Sequence, residues 1–387
     1  MTKSKWPIVK LGELIEHVKS EKAGQTDYPV LSMTMKDGLV LQDERFKKKI
    51  ASKDTSAYKV VLRDQLVVGF PIDEGVLDFQ TIVDAGIVSP AYKVWRLRGF
   101  ASVDKSFLAN YLRSEFALAY YRTRLRGTTA RRRSLTDDAF LSMPVPLPPL
   151  EEQKRIAEIL SFSDSLIEKS KQAVALLNPN LALSESIVAN AESTVPLSTY
   201  ITGITSGKSL VADNEGESQN KVLKISAVTT GTFLASEVKT LPKDYDPDDS
   251  HRVAAGDILV SRANTTELVG ASVLVDEVAS NIFLPDKLWK LTLVEDVNPV
   301  FLWALLQSKT IRSRISRCST GSSGSMKNIS KKNFLSVHVP DFSMELQNKI
   351  GNSIQIIREQ KKGELRRLSY LQGLHSSLMS VAFEGGL

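Results

Sequence analysis

The second half of this 387-residue chain repeats the first half, and this repeat limits the folds that the chain can adopt. The segment 127–160 aligns with the segment 321–354 without a gap, at a constant shift of 194 residues. The shift pairs Phe140 with Phe334 and Gln153 with Gln347. Each copy ends in a long amphipathic segment, whereas the bodies before it have diverged. Such a repeat predicts one architecture used twice, with each copy suited to a different target.

The repeat also predicts where the domains begin and end. We predict a first body at residues 1–149, a central helix at 150–193, a second body at 194–342 and a C-terminal helix at 343–387. Short β-type runs lie at 28–33, 65–70 and 91–97 in the first body and at 221–226, 257–262 and 287–293 in the second. Stretches with helical periodicity follow at 107–126 and 301–317. The predicted fold class is therefore α+β, with two strand-rich bodies joined by two long antiparallel helices in a pseudo-two-fold internal repeat.

Both helical tails carry apolar residues at the spacing of a coiled-coil seam. The first tail has them at strict intervals of seven, at Leu160, Ile167, Val174, Leu181 and Val188. The second tail spaces them at threes, fours and their sums, at Ile350, Ile354, Ile357, Leu365, Leu368, Leu371 and Leu378. Two such stripes in one chain most simply bury each other, so we predict a coiled-coil spacer. Pro179 predicts a kink or break in the first helix.

Composition limits the class of protein. The chain is 42% apolar, and its length is typical of two or three domains. Its 50 Lys and Arg against 44 Asp and Glu give a net charge of +6, which fits an acidic polymer as partner if the excess is clustered. The single cysteine, Cys318, indicates a reducing compartment, and neither a signal peptide nor an apolar run of about 18 residues is found. We expect a cytoplasmic protein.

The excess positive charge is clustered at equivalent places in the two copies. Seven arginines and one acid lie between Arg113 and Arg133, and no Asp or Glu occurs from Val297 to Val339. Arginine suits phosphate oxygens and the O6/N7 edge of guanine, and small loop residues let the backbone approach a phosphate. A single basic run is usually a solvated surface. Its recurrence at matched positions favours nucleic acid.

The two loops differ in sequence, so we expect the two copies to recognise different bases. The first loop contains Arg131–Arg133, which suit guanine or phosphate, whereas Asn328 in the second suits adenine. Two further segments, 205–208 and 262–266, are polar candidates whose alternative explanation is ordinary turn chemistry. The predicted DNA-binding residues are Arg126, Gly127, Thr128, Thr129, Arg131, Arg132, Arg133, Ser134, Ser206, Lys208, Arg262, Asn264, Thr265, Arg317, Ser322, Ser323, Ser325, Lys327 and Asn328.

The sequence contains no catalytic or metal-binding motif of familiar spacing. The segment 203–209 resembles a phosphate-binding loop, but only three residues separate its glycines where the Walker pattern needs four. The four histidines lie far apart in sequence, and one cysteine does not make a metal cluster of recognisable ligand spacing. We therefore predict a protein without catalytic activity of its own and without a bound metal.

At three places the chain resembles the DNA specificity subunits of type I restriction-modification systems. The resemblance rests on PLPPLEEQKRIAEIL at 146–160, its degenerate copy VPDFSMELQNKIGNSI at 339–354, and LQGLHSSLMSVAFEGGL at 371–387. The order of bodies and helices extends it over the whole chain. The sequence departs from the family pattern at residues 341–343 and at Pro179, which concerns the geometry of the helices.

The resemblance implies a role for each part of the chain. The two bodies would be target-recognition domains, each binding one half of a split, asymmetric site in double-stranded DNA, and the helices would set the distance between the halves. Modification (methyltransferase) subunits and a restriction (endonuclease/translocase) subunit would bind alongside. The chain itself would bind no cofactor, since S-adenosylmethionine, ATP and Mg²⁺ are expected on those partner subunits, and no membrane is implied.

Two other classes of function remain open at this point. The helical tails and strand-rich bodies are also compatible with a coiled-coil scaffold for protein interactions that does not bind DNA. A self-contained restriction enzyme is disfavoured because the catalytic motifs are missing.

Overall fold

The computed structural model describes residues 5–35, 38–45, 54–99, 102–126, 134–177, 180–208, 218–321 and 326–384. The chain forms two compact units. The first comprises Met1–Lys171 together with Arg367–Leu387, and the second comprises Gln172–Arg366. Each unit has its own strand-rich body and its own hydrophobic core.

The first unit begins with short strands and ends its body with three helices. Its strands are β1 (Ile8–Lys10), β2 (Ile15–His17), β3 (Leu31–Thr34), β4 (Gly38–Leu41), β5 (Lys59–Leu62), β6 (Leu66–Val68), β7 (Leu77–Phe79), β8 (Ala85–Val88), β9 (Lys93–Leu97) and β10 (Pro144–Pro146). Its helices are α1 (Leu11–Leu14), α2 (Gln42–Arg45), α3 (Lys105–Leu112), α4 (Glu115–Arg124), α5 (Asp137–Leu141) and α6 (Leu150–Leu176), the last of which extends into the second unit.

The second unit follows a similar order. Its strands are β11 (Thr194–Pro196), β12 (Ile201–Ser206), β13 (Lys221–Leu223), β14 (Val238–Thr240), β15 (Ile258–Ser261), β16 (Ala263–Asn264), β17 (Ser272–Leu274), β18 (Ile282–Phe283), β19 (Leu288–Leu293), β20 (Lys327–Asn328) and β21 (His338–Pro340). Its helices are α7 (Asn180–Ala189), α8 (Pro299–Gln307), α9 (Lys309–Arg317), α10 (Lys331–Leu335) and α11 (Met344–Glu384), and α11 continues into the first unit.

A four-stranded antiparallel sheet forms the centre of each body. The strand order is β2-β9-β6-β7 in the first unit and β12-β19-β15-β17 in the second. A buried tryptophan occupies the second strand of each sheet, Trp95 in β9 and Trp289 in β19. Trp95 lies opposite Leu66, and Trp289 lies opposite Val260 at the same shift of 194 residues. The α+β class and the predicted β-type runs are thus confirmed.

The repeat extends through the helices. The starts of α3, α4, α5 and α6 and those of α8, α9, α10 and α11 are separated by the shift seen in the sequence. The residues that cap the helices match as well. The side chains of Asp104 and Asn298 accept the backbone N–H of Phe107 and Phe301, and those of Thr136 and Ser330 cap α5 and α10. A capping side chain satisfies an N–H group that the helix itself leaves free.

The stretches with helical periodicity at 107–126 and 301–317 each form two helices. Ser114 separates α3 from α4, and Ser308 separates α8 from α9. Each hydroxyl accepts the N–H of the residue three positions later, Ala117 or Ile311, and so caps the second helix of the pair. A buried serine favours a cap over a helix interior because its side chain competes for backbone groups.

The tail helices pack within each unit. In the first unit, Ile156 and Leu160 of α6 share a core with Phe383 of α11, and Ser163 Oγ lies 2.6 Å from His375 Nδ1, so the two helices run antiparallel there. In the second unit, α7 and the first part of α11 contribute to one core. The stripe of α11 is partly open, since Leu365 is 47% exposed.

The predicted break in the first tail lies between two described helices. Helix α6 ends at Leu176 and α7 begins at Asn180. Pro179 itself lies outside the described residues, as does Asn178.

A buried glutamine secures the start of each tail helix. The Gln153 amide donates to the carbonyls of Pro148 at 2.7 Å and Ser102 at 3.2 Å, and its Oε1 accepts the N–H of Asp104 at 2.8 Å. Its equivalent, Gln347, donates to Phe342 at 2.8 Å, and its buried Oε1 has no hydrogen-bond partner among the described residues. Gln153 therefore makes more hydrogen bonds at the first junction than Gln347 makes at the second.

Replacing Gln153 with alanine should destabilise the first unit by about 2–3 kcal/mol, because buried backbone groups are left without partners. The matched variant Gln347→Ala should cost about 1 kcal/mol, since a single hydrogen bond is removed. Urea unfolding measures the loss of stability in both variants, and hydrogen exchange around residues 102–104 follows the first junction alone. Equal losses of stability in the two variants would contradict the difference.

A tyrosine hydroxyl also ties each body to its junction. Tyr111 in α3 donates to the carbonyl of Pro144 at 2.5 Å. In the second unit the hydroxyl of Tyr200 lies 3.1 Å from the carbonyl of Pro340 and accepts the N–H of Phe342 at 3.3 Å. Burial raises the pKa of Tyr200 to about 12.

The raised pKa of Tyr200 predicts a loss of stability in alkali. The folded state keeps the phenol proton up to about pH 12, whereas an unfolded tyrosine loses it near about pH 10. Stability should therefore fall as the pH rises above about 10. The Tyr200→Phe variant should show a shallower fall in urea midpoint between about pH 9 and about pH 11, and Tyr370→Phe, at an exposed site, serves as control. Identical profiles for Tyr200→Phe and the wild type would refute this.

Candidate nucleic-acid interface

The basic loop of each copy is closed at its base by the same pair of backbone hydrogen bonds. Arg126 and Ser134 exchange two bonds of 3.1 and 3.0 Å, and Thr320 and Asn328 exchange two of 2.7 and 2.9 Å. Both pairs form antiparallel bridges and are related by the shift of the repeat. The two loops therefore begin and end at equivalent antiparallel bridges, and we call them the first and the second hairpin after those bridges.

The tips of these hairpins lie outside the described residues. This applies to the predicted residues Gly127, Thr128, Thr129, Arg131, Arg132 and Arg133 in the first copy and Ser322, Ser323 and Ser325 in the second. Their proposed contacts stay predictions. The described ends show where each hairpin leaves the body.

In the second unit the predicted loop segments lie at one edge of the central sheet. Strands β12 and β15 end where β19 begins, because Trp289 lies opposite both Ser206 and Val260. The N–H of Arg262 then donates to the carbonyl of Lys287 at 3.1 Å. We call this edge the second loop edge; it comprises Ser206, Lys208, Arg262, Asn264, Thr265, Lys287, Lys327 and Asn328.

The hairpin joins this edge through a short ladder. Strand β16 pairs with β20, so that Ala263 lies opposite Asn328 and Asn264 opposite Lys327. The N–H of Ile329 also donates to the carbonyl of Arg262 at 3.0 Å. The fold thus brings together two predicted segments, 262–265 and 327–328, that lie about sixty residues apart in the chain.

The second loop edge carries several positive charges, and Lys208 lies near enough to Asp248 to help lower the pKa of that carboxyl. Lys208 and Lys287 are exposed, as is the neighbouring Arg317, and Arg262 is partly buried with no hydrogen-bond partner for its Nε among the described residues. Within the described ranges no salt bridge joins these four cations to an acid. Unpaired cations at a sheet edge suit phosphate oxygens.

The two asparagines of this edge differ in what they can still bind. The Asn264 amide is engaged within its own loop, because its Oδ1 accepts the N–H of Thr265 at 2.9 Å and its Nδ2 donates to Ser261 at 3.4 Å. Asn328 is exposed, and its bonds to Thr320 use the backbone. Asn328 is therefore the better candidate for a base contact, whereas Asn264 shapes the loop.

Substituting the two asparagines separates these roles. Asn264→Ala should lower stability by about 1 kcal/mol and raise hydrogen exchange at 262–266, because the loop loses its side-chain bonds. Asn328→Ala should stay within about 0.5 kcal/mol of the wild type, as exposed substitutions do. Thermal unfolding and hydrogen exchange give both values. A larger loss of stability for Asn328→Ala would reverse the assignment.

The corresponding edge of the first unit, the first loop edge, is partly neutralised. Lys93 begins β9 opposite Val68 and donates to the carbonyl of Leu135 at 3.2 Å, and it forms a salt bridge with Asp137. The repeat places Lys287 and Lys331 at the positions of Lys93 and Asp137. The base of the second hairpin thus has two lysines where the first has an ion pair.

Several cations of the basic runs have structural roles. Arg113 donates to the carbonyl of Leu77 at 3.0 and 2.7 Å and pairs with Asp78 at 3.0 Å. Arg312 donates to the carbonyl of Glu267 at 2.9 Å, and burial lowers its pKa to about 10. Neither arginine is among the predicted DNA-binding residues, and their hydrogen bonds hold backbone carbonyls of their own bodies.

Sequence reasoning missed Lys287 as a member of the cationic surface, whereas Lys331 belongs to the acid-free run at 297–339. Lys287 is exposed beside Arg262, and Lys331, also exposed, donates to the carbonyl of Ile204 at 2.7 Å. The signal for Lys287 was present, because lysine precedes a tryptophan by two positions in both copies, at Lys93 and at Lys287. It was hidden by the assignment of that lysine to a strand.

The described residues offer neither a membrane-spanning helix nor a metal cluster. Within those ranges, no helix is long and apolar enough to cross a membrane. Across the same part of the chain, no group of three or more His, Cys, Asp or Glu side chains is arranged to hold a metal ion.

Comparisons with known proteins agree on one family. Residues 3–176 match the model of the type I restriction modification DNA specificity domain. The specificity subunit of the EcoKI type I restriction enzyme from Escherichia coli K12 is 26% identical over 322 residues, which cover 75% of this chain and 67% of that one. The MjaVIII specificity subunit from Methanocaldococcus jannaschii is 24% identical over 399 residues, which cover 92% of this chain and 88% of that subunit.

Solved structures show the same fold. The S subunit of a type I restriction-modification system from M. genitalium aligns with a TM-score of 0.60 at 14% identity, covering 99% of this chain and 97% of that one. A second solved chain comes from a structural study of complex assembly and conformational transition in a type I system. It aligns with a TM-score of 0.57 at 16% identity, covering 100% of this chain and 99% of that one.

Proposed function

Since this chain belongs to the specificity subunits of type I restriction-modification systems, we propose that it is the DNA sequence-recognition subunit of such a system. The observation that carries the proposal is the pair of equivalent hairpins, each closed by two backbone hydrogen bonds beside the edge of a central sheet. One architecture used twice on DNA suits a site with two halves. Because the two loop edges differ in sequence, the two halves should differ and the site should be asymmetric.

On the DNA duplex, the cations and the polar side chains of the loop edges are proposed to bind different groups. Exposed lysines and arginines such as Lys287 and Arg317 suit phosphate oxygens, which fix the position of each body. Asn328 and the arginines at 131–133 are proposed to contact base edges in the major groove. The remaining residues of the hairpins and of segments 206–208 and 262–265 complete the proposed interface.

We place the chemistry of the system on other subunits. Modification subunits would hold S-adenosylmethionine, and a restriction subunit would hold ATP and Mg²⁺, while this chain contributes recognition and the docking surface. In this proposal the tail helices α6, α7 and α11 act as the spacer between half-sites. The site of action would be the cytoplasm, where the chromosome of a prokaryotic host is found.

The scaffold alternative, in which the chain would not bind DNA, gains no support from the relatives, all of which are specificity subunits. Binding of the purified chain to duplex DNA in the presence of heparin separates the two functions. Sequencing the methylated sites in a host that expresses this chain with its methyltransferase tests the proposal directly. A split, asymmetric motif supports it, and a continuous or symmetric motif would refute it.

The cationic edge predicts how salt affects DNA binding. Replacing Lys287, Arg317 and Lys327 with alanine should weaken binding and reduce the slope of log K against log salt by about 0.9 for each phosphate that is no longer neutralised. The variant with Arg131, Arg132 and Arg133 replaced should behave similarly. Filter-binding titrations at several salt concentrations measure the slopes.

A matched control removes the same charge elsewhere. Lys239, Lys243 and Lys349 are exposed lysines outside the two loop edges. Replacing these three with alanine should leave the slope nearly unchanged. If both triple variants shift the slope equally, the charge acts through the net charge of the protein, and the proposed edge is wrong.

A further inference from the structure

A cluster of ion pairs fastens the second body to helix α11. The turn after β17 carries Asp276 and Glu277, and both acids meet cations of α11 within the second unit. Asp276 pairs with Arg358, and Glu277 lies 2.5 Å from Lys362 and 4.0 Å from Arg366. The cations recur at intervals of four along α11, so they form one row on the helix face that meets the turn. We call Asp276, Glu277, Arg358 and Lys362 the helix clamp.

Arg358 is the most buried member of the clamp. Its side chain is 11% exposed, and its guanidinium lies 4.3 Å from the ring centroid of Trp303 in α8. One arginine thus contacts a helix of the body and a turn of its sheet together. Planar stacking on tryptophan with an acid at the rim fixes the orientation of a guanidinium far better than a surface ion pair does.

The first unit repeats neither half of the clamp. The positions of α6 that match Arg358 and Lys362 carry the acids Asp164 and Glu168. In the corresponding turn of the first body, Asp84 is paired with Arg63 of its own body at 3.0 Å. Asp164 instead lies 3.6 Å from His375. The clamp is therefore specific to the second copy, and packing of the shared core does not require it.

We propose that Arg358 and Lys362 are positioning residues that lock the second body to α11, and so restrict the protein to one distance between half-sites. The inference rests on the proposed function. Helix α11 contributes residues up to 366 to the second unit and later residues to the first. In this proposal it acts as the rod on which the second body is held. A body free to turn on that rod would tolerate several distances, whereas a clamped body accepts one.

The test counts methylated sites by the distance between their half-sites. The full chain is expressed with its methyltransferase partner, and the methylated sites are identified by sequencing. For Arg358→Ala and for Lys362→Glu, the share of methylated sites whose halves are one base pair closer or farther should rise about threefold to tenfold. Methylation at the original distance should persist, which shows that the variants fold and that each half is still recognised.

A charge reversal and a matched control test whether the ion pair itself determines the distance. Combining Glu277→Lys with Lys362→Glu restores an ion pair and should return the narrow distribution, whereas each single change should broaden it. Lys349→Ala removes an exposed lysine of the same helix and should leave the distribution unchanged. If the wild type gives one split motif and the clamp variants keep its single distance, the clamp proposal is overturned while the proposed function stands. If the wild type gives no split motif, the proposed function itself fails.

Discussion

The pairing of one buried strand with neighbours on both sides is the constraint on which each body depends. Strand β9 pairs with β2 and β6, and β19 pairs with β12 and β15. Each centres on a tryptophan that is 1% exposed and that packs against a phenylalanine of a following helix, Phe140 or Phe334. Burying so large a side chain fixes the register of three strands together, because a slip of one residue would turn the tryptophan to the opposite face. With the register fixed, the ends of the neighbouring strands meet the start of the central strand, and the loops are gathered at one edge.

Local patterns in the sequence predicted much of this architecture. The β-type runs depend on residues close together in the chain, and the structure confirms them. The serine caps at Ser114 and Ser308 were missed because apolar spacing continues across them. The structural roles of Arg113 and Arg312 were not visible either, since their acceptors, Leu77 and Glu267, lie far away in sequence. A sequence shows which side chains are cationic, but only the structure shows which of them are already hydrogen-bonded within the protein.

At corresponding places the two bodies use different side chains. The carbonyl that precedes each tail helix is bound by Tyr111 from helix α3 in one unit and approached by Tyr200 from the start of the sheet in the other. The base of the hairpin holds an ion pair in the first body and two lysines in the second. Divergence has therefore altered the edge and the junction bonds while the buried centre has kept its order. This distribution fits a duplicated protein in which the core maintains the fold and the edge determines the target.

The first unit is assembled from both ends of the chain, and this has a consequence for synthesis. Phe383 packs on Phe107 and Tyr111 with ring centroids 5.5 and 5.1 Å apart, so the aromatic cluster of the first body is closed by a residue that is made long after the other two. As the nascent polypeptide leaves the ribosome, the second body can complete its core before the first one does. The amino-terminal body must wait with apolar surface uncovered until translation has passed residue 383. A frameshift shortly before residue 383 would accordingly damage a body whose other residues had been translated much earlier.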